Sequence, residues 1–408
     1  MGQRRLFYGW VVVGAAALIT CVGMGSLFSL GIFLKPIEES MQWSRTGIST
    51  IALFNWIFMG VGSFLWGALS DRYGTRSVVL AGGGLLGLGL VLSSQVEALW
   101  QLHLTFGLMV GLAVGAFYAP LTATATRWFT ANRGLAVALV SAGIGFGVLV
   151  ISPLSRWIIS LSDWRMAMLV LGDLAWLVII PTALLIREQP ADVGGVALGA
   201  VPGEPPAGRD FSPGQVARSP QFWALGLTHV ACCAAHSGPI FHMVTYAIDQ
   251  GMGAMTAATV LSVSGLASVV GRIATGLLAD RFGAKRTLVA GLSLQAVMIL
   301  LYLQAREAGT FYGLALFFGA AYGGVMPLYA LLTREYFGEK VMGTAYGGVF
   351  LVSTLGMGLG SFAGGWVYDQ LGSYAWLFIS SAVMGAAAGL LALTFRPPQP
   401  APVLATAR

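Results

Sequence analysis

Charge is scarce in this chain. Only 9% of its 408 residues are Asp, Glu, Lys or Arg, against about 25% in an average soluble domain, and such a chain cannot cover itself for water. A soluble enzyme built around a large core is excluded on that ground. Cysteine is nearly absent as well. Cys21, Cys232 and Cys233 all fall inside apolar stretches, which excludes a disulfide framework and a cysteine-based metal site. The four histidines include no pair four residues apart and no cysteine or carboxylate placed to complete a metal site. No phosphate-binding loop and no nucleophile–base pair stands out, so neither a membrane-bound enzyme nor a cofactor is expected. The basic residues form no stripe interleaved with aromatics, which removes nucleic acid as a partner.

What the chain has in abundance is long apolar runs. Apolar residues make up 57% and the mean hydropathy is +0.79. Runs of 18 or more residues suit helices that each need about 20 residues to cross a bilayer. Twelve such spans are predicted, near 8–33, 45–69, 76–96, 98–126, 134–156, 164–186, 221–248, 255–279, 287–305, 308–333, 342–367 and 373–395. The stretch 187–220 breaks the pattern with Pro190, Pro202, Pro205, Pro206, Pro213 and Pro220, and reads as a solvated linker. The expected organisation is therefore a six-helix half over 1–186, a linker over 187–220, a second six-helix half over 221–396 and a tail over 397–408. Arg4 and Arg5 precede the first run, but it continues to Lys35 without a small-residue cleavage site and reads as an uncleaved span.

The two halves are copies. Gly67-Ala-Leu-Ser-Asp71-Arg72-Tyr-Gly74-Thr-Arg76 returns 209 residues later as Gly276-Leu-Leu-Ala-Asp280-Arg281-Phe-Gly283-Ala-Lys285. Each copy sits in a short charged turn between two apolar runs, where a carboxylate can clasp adjoining helix ends. Trp128-Phe129 with Arg133-Gly134 is answered by Tyr336-Phe337 with Met342-Gly343, and Gly115-Ala-Phe-Tyr118 by Gly319-Ala-Ala-Tyr322. The repeated G-x-L-x-D-R-x-G-x-[RK] resembles the signature of the major facilitator superfamily of membrane transporters. That resemblance implies an all-α membrane protein of twelve transmembrane helices in two pseudo-symmetric halves, with substrate near the midplane and rocking that opens each side in turn. The glycine-rich runs at 143–147 and 356–365 are expected at the moving interface between the halves.

Sixteen Lys and Arg fall on the side of the termini and linker and five on the other. This bias predicts both termini in the cytoplasm and a multi-pass protein of a bacterial inner membrane. One cation is left in the interior of the spans, away from their ends. Arg272 stands eight residues before Asp280, about 12 Å inside that side at helical rise, where a guanidinium costs at least ~2.5 kcal/mol without a wet cavity or an anion. No acid lies one turn away, since position 268 is Ser and position 276 is Gly. An unpaired fork of this kind suits a carboxylate substrate. The seventh span holds His229, His236 and His242; the first two share a helix face, and His242 is the candidate substrate donor or proton handler. Asp173, the remaining acid well inside a span, is a second proton-coupling candidate.

The H-x-x-x-Y-x-x-D-x-G run from His242, the G-R-x-x-x-G-x-L-x-D-R run from Gly271 and the Tyr-Gly-Trp opening at 8–10 resemble the monocarboxylate transporter branch and its oxalate:formate antiporter relatives. By that resemblance Arg272 binds the substrate carboxylate with help from Tyr118 and His242. Tyr322 is the repeat counterpart of Tyr118. Ser268, Leu27 and Phe350 are further substrate-site candidates, and Phe28 and Phe117 possible wall residues. Two departures stand out. Ser268 replaces the aspartate that animal members carry one turn before the arginine, and 341–367 contains no Lys or Arg where the oxalate carriers have a lysine. The expected function is secondary transport of a small lactate- or pyruvate-like monocarboxylate, with a proton, by a monomer. Oxalate/formate-type exchange, or a drug or sugar transporter of the same fold, is the alternative.

Overall fold

The computed structural model describes residues 7–43, 45–199 and 211–398. Arg4, Arg5, Arg209, Arg408, Pro202, Pro205, Pro206 and the tail from 399 lie outside the described residues, as do the side chains of Lys35, Arg45 and Arg156. Backbone polar groups in a bilayer find no water, so long apolar segments satisfy them internally as helices. The chain forms α1 (Tyr8–Phe28), α2 (Leu30–Met41), α3 (Arg45–Tyr73) and α4 (Thr75–Ser93), then a composite α5 (Leu99–Trp128), α6 (Arg133–Leu161) and α7 (Trp164–Ala183). After the linker come α8 (Pro213–Arg218), α9 (Pro220–Asp249), α10 (Ala254–Phe282), α11 (Ala284–Leu301), α12 (Ala308–Phe337), α13 (Met342–Leu371) and α14 (Ala375–Leu393). Eleven of these are long and apolar enough to cross a membrane among the described residues. The thirty-residue α9 stands apart, because His229, His236, His242 and Pro239 dilute its apolar run.

Each half repeats the same packing. α1 lies on α6 and α4 on α7 in the first half; α9 lies on α13 and α11 on α14 in the second. The halves meet along α3 with α13 and α6 with α10. The signature turns repeat to within a few degrees: Gly74 has φ 86° and ψ 148°, and Gly283 has φ 89° and ψ 146°. Only glycine adopts that backbone readily, which is why both copies keep it. Arg72 stacks over the ring of Tyr73 and Arg281 over that of Phe282. Arg76 meets Glu188 through its backbone N–H, and Lys285 Nζ donates to the Phe395 carbonyl at 2.7 Å.

The signature carboxylates reach across to the opposite half. Asp71 accepts from the backbone N–H of Gly343 at 3.0 Å, from that of Thr344 at 2.7 Å and from the Thr344 hydroxyl at 2.7 Å, capping the start of α13. Asp280 accepts from the N–H groups of Gly134 and Leu135 at 2.6 and 3.0 Å, capping the start of α6. Helix N-termini carry unsatisfied N–H groups and a partial positive charge, so a carboxylate there is held from two sides at once. The glycine that opens each motif touches the same place: a Cβ on Gly67 would strike the carbonyl of Gly343, and one on Gly276 that of Gly134. The face carrying the signature turns and the linker is therefore shut.

One expectation changes in part. Of the glycines in 143–147, Gly143 and Gly147 press on the backbone of α1 in their own half, and only Gly145 meets the other half, at Val269. Gly356 and Gly360 likewise press on α9 within their own half, while Gly358 faces Leu53 of α3 in the other. Small residues let helices approach wherever they cross, inside a half as well as between halves. Most described residues of 187–199 and 211–220 are exposed, and a few contacts dock them on the bundle. Leu198 pairs with Phe129 and accepts from the N–H groups of Thr130 and Ala131 at 2.9 Å, and Val216 of α8 is buried.

Candidate functional site

The backbone of α5 loses α geometry as it nears the centre of the protein. A π segment covers His103–Val110 and a 3-10 turn covers Gly115–Phe117, and Pro120 restarts the helix after Tyr118. Gly115 lets this turn sit against the backbone of Gly62 and Ser63. Carbonyls freed by such irregularity need partners from neighbouring helices. Asn55 Nδ2 donates to Phe106 O at 2.7 Å, Trp66 Nε1 to Leu112 O at 2.9 Å and Thr20 Oγ1 to Phe117 O at 2.9 Å. The break delivers Tyr118 to the interface between the halves.

Arg272 of α10 faces it and is 4% exposed. Its Nε donates to Ser141 Oγ of α6 at 3.0 Å, and Nη1 donates to Ser268 Oγ at 2.8 Å. The Tyr118 hydroxyl donates to the same Ser141 oxygen at 3.2 Å. Ser268 passes its own hydrogen to the Gly265 carbonyl at 2.7 Å, which leaves its oxygen free to receive Nη1. Among the described residues no carboxylate pairs with Arg272, and no protein group accepts from its Nη2. The repeat counterparts Tyr118 and Tyr322 both lie within electrostatic reach of the guanidinium. A planar cation held by two hydroxyls, with one terminal nitrogen open, can receive a carboxylate with little loss of side-chain freedom.

The histidine brought to this place is His236. Its ring stacks on Tyr322 with centroids 5.4 Å apart, its Nδ1 lies 3.9 Å from Cys232 Sγ, and it senses the charge of Arg272. His242, six residues further along α9, packs against Gly364 of α13 and tilts on Tyr374 at 5.2 Å. The phase of α9 turns it toward α13 and α14. Phe350 does border the site, with its ring 5.5 Å from that of Tyr118. Leu27 is buried one turn beyond Gly23, which packs on the Phe117 ring, and Phe28 meets Trp56 instead. Asp173 is exposed on the face of α7 that also carries Met166, Leu177 and Ile180, pointing away from the bundle.

Three participants, Ser141, Tyr346 and Tyr329, had little signal in the sequence. Ser141 is an ordinary small residue on a membrane helix. Tyr346 packs edge-on to Tyr118 at 5.8 Å with its hydroxyl buried and unpartnered among the described residues. Tyr329 stacks on His229 at 4.0 Å, and both ring nitrogens of His229 are buried without a hydrogen-bond partner among the described residues. A buried polar atom left unpaired costs roughly 1–3 kcal/mol, so such a histidine is an expensive way to fill space. Its spacing from His236 was visible as a shared helix face; its surroundings were not.

The family model of the Major Facilitator Superfamily matches residues 16–344 and 256–408. Monocarboxylate transporter 13 of Bos taurus is 28% identical over 391 residues, covering 94% of this chain and 88% of that protein. The oxalate:formate antiporter of Oxalobacter formigenes is 24% identical over 340 residues, covering 83% and 80%. A solved proton:xylose symporter carrying 6-bromo-6-deoxy-D-glucose superposes with a TM-score of 0.79 at 14% identity over 95% of this chain and 96% of that one, which shows the shared fold. These relatives are a transporter, an antiporter and a symporter, not enzymes. The chain belongs to the major facilitator superfamily, in a branch with monocarboxylate transporters and the oxalate:formate antiporter among its relatives.

Proposed function

We propose that this protein moves a small monocarboxylate such as lactate or pyruvate, together with a proton, by alternating access between two six-helix halves. In this reading α9 is the twelfth span, the protein works as a monomer in a bacterial inner membrane, and the linker face is cytoplasmic, as the distribution of Lys and Arg supports. The observation that carries it is Arg272: a buried guanidinium at the contact between the halves, held by Ser141 and Ser268, with no acid partner among the described residues. The relatives named for monocarboxylate and oxalate:formate transport support an anion as cargo. A sugar would gain nothing from a permanent cation, and a cationic drug would be repelled by it. One fixed charge matches one carboxylate, and 341–367 supplies no second cation for a dianion.

The test is counterflow in proteoliposomes of the purified protein with radiolabelled lactate, pyruvate, acetate, formate and oxalate, in wild type and Arg272→Gln. Uptake of at least one monoanion, reduced at least fiftyfold in Arg272→Gln, is expected. Wild-type indifference to every monoanion, or near-normal uptake in the variant, overturns the reading in favour of a neutral or cationic cargo.

A further inference from the structure

We propose that the coupled proton is carried by two stations on α9: His236 loads it beside the bound anion, and His229 passes it toward the linker face. The inference rests on the carboxylate reading above and names residues for its proton step. His236 and His229 lie seven residues apart, two helical turns on one face, with a rise of about 10 Å between them. Both are buried. His236 is at the level of Arg272 and Tyr322; His229 lies closer to Pro220, where α9 meets the linker.

The surroundings of each ring single them out. His236 has Cys232 on its own helix, with Gln295 of α11 behind that thiol, Tyr322 on α12 and Arg272 on α10. Its Nδ1 lies toward Cys232, and its Nε2 makes no hydrogen bond to a described residue. His229 has Tyr329 on α12, Phe350 on α13 at 6.1 Å, and Cys232, Cys233 and His236 on its own helix. Of the other elements packed on α9, α14 carries no titratable side chain, α13 offers Tyr346 on this side, and Lys285, Arg286 and Arg218 stand at the linker face. The tyrosines and cysteines around the two rings are ordinarily neutral near pH 7, so imidazole is the group there that exchanges a proton in the physiological range. The acid proposed from sequence, Asp173, points out of the bundle.

Charge logic couples the two cargoes. With the site empty, a proton on His236 would put a second positive charge beside Arg272 in a poorly solvated place. A bound carboxylate cancels the Arg272 charge and removes that objection, so anion and proton enter together. The proton comes from water on the open side, bonds to the Nε2 lone pair of His236, and leaves as an N–H proton returned to water. When the linker face opens, water reaches His229, whose two nitrogens, unpartnered among the described residues, can accept and donate in turn. No other bond is made or broken. Return of the emptied carrier then needs a neutral His236, which prevents a proton from crossing alone.

The experiment is simultaneous measurement of substrate and proton uptake in proteoliposomes containing an internal pH dye, using whichever of lactate, pyruvate, acetate or formate gives the largest wild-type counterflow. Wild type should move protons with substrate. His236→Gln and His229→Gln should lower the proton-to-substrate ratio at least fivefold while counterflow, which needs no net proton movement, remains measurable. His242→Gln should keep the wild-type ratio. Should His229→Gln fail to insert, His229→Phe preserves the stack on Tyr329 and takes its place. An unchanged ratio in both His236→Gln and His229→Gln overturns the inference, as does a wild type that moves substrate without protons. Loss of equilibrium binding in His236→Gln would make that residue a substrate ligand and overturn its proton role. Absence of any monocarboxylate transport in wild type is a different result, and it overturns the carboxylate reading along with this one.

Discussion

Arg272 of the second half donates its Nε–H to Ser141 of the first at 3.0 Å, and the Tyr118 hydroxyl converges on the same oxygen. The guanidinium is thereby both the candidate anion site and a tie between the halves. The bond that poses the guanidinium for a ligand also joins the two halves, so the site and the seam share an atom.

Ser141→Ala removes that oxygen and leaves Arg272 anchored by Ser268 alone. A hydrogen bond of this kind contributes about 1 kcal/mol net, near fivefold in affinity. Substrate binding by isothermal calorimetry should weaken by about that factor. An unchanged dissociation constant together with unchanged transport would show that Ser141 neither positions the guanidinium nor ties the halves.

Asp71 and Asp280 each cap a helix start in the opposite half, and those bonds exist only while the linker face is shut. Asp71→Asn or Asp280→Asn replaces one carboxylate oxygen by an NH2 group facing backbone N–H donors. Hydrogen bonds to charged groups are worth roughly 1.5–3 kcal/mol, so the shut conformer should lose population and turnover should fall about tenfold. The binding constant should stay within a few-fold, because the site is a separate set of residues. A large loss of binding at unchanged turnover would assign these acids to the substrate instead.

Gly134→Ala and Gly67→Ala test the same closure sterically. Each added methyl would meet a backbone carbonyl of the other half, which cannot swing aside as a side chain can. Spin labels at the exposed positions Tyr73 and Phe282, one in each half, should move apart in the variants. Identical distance distributions in wild type and variant would mean that the helices absorb the methyl without opening.

Asp173 is exposed beside Met166, Leu177 and Ile180 on α7, so Asp173→Asn should leave uptake and its pH dependence within about twofold of wild type. Collapse of pH-gradient-driven uptake in that variant would return the proton step to α7.

Most of the fold was legible because it is written twice. The repeated signature and the apolar runs announce an all-helical transporter of the major facilitator type, and the structure adds the capping that the repeated Asp performs. The lone in-span cation was equally legible, since a count of Lys and Arg isolates Arg272 without any geometry. What sequence could not supply is helical phase between elements. His236 and His242 are both plausible from spacing, and only the packing of α9 on α12 and α13 decides which ring meets Tyr322. The outward turn of Asp173 is the same kind of fact. Ser141 was invisible for another reason: a serine on a membrane helix usually bonds its own backbone, and its partner here lies 131 residues away.

Arg272→Lys is the sharpest remaining test, because it keeps the charge and changes only its shape. The present guanidinium spends Nε on Ser141 and Nη1 on Ser268 and still has Nη2 to offer. A lysine ammonium is one point with three donors at the end of a flexible stem; it cannot hold both serines and also present a planar edge to a carboxylate. Monoanion binding in Arg272→Lys should therefore fall at least tenfold, and Arg272→Gln should fall further. Neither variant should gain affinity for oxalate. In wild type a second carboxylate would enter the site without a cation, a penalty of several kcal/mol, so lactate-like monoanions should be preferred over oxalate and malate. Tight oxalate binding by wild type, or a lysine variant that binds as wild type does, would mean that the recognition is not the bidentate contact of a single guanidinium.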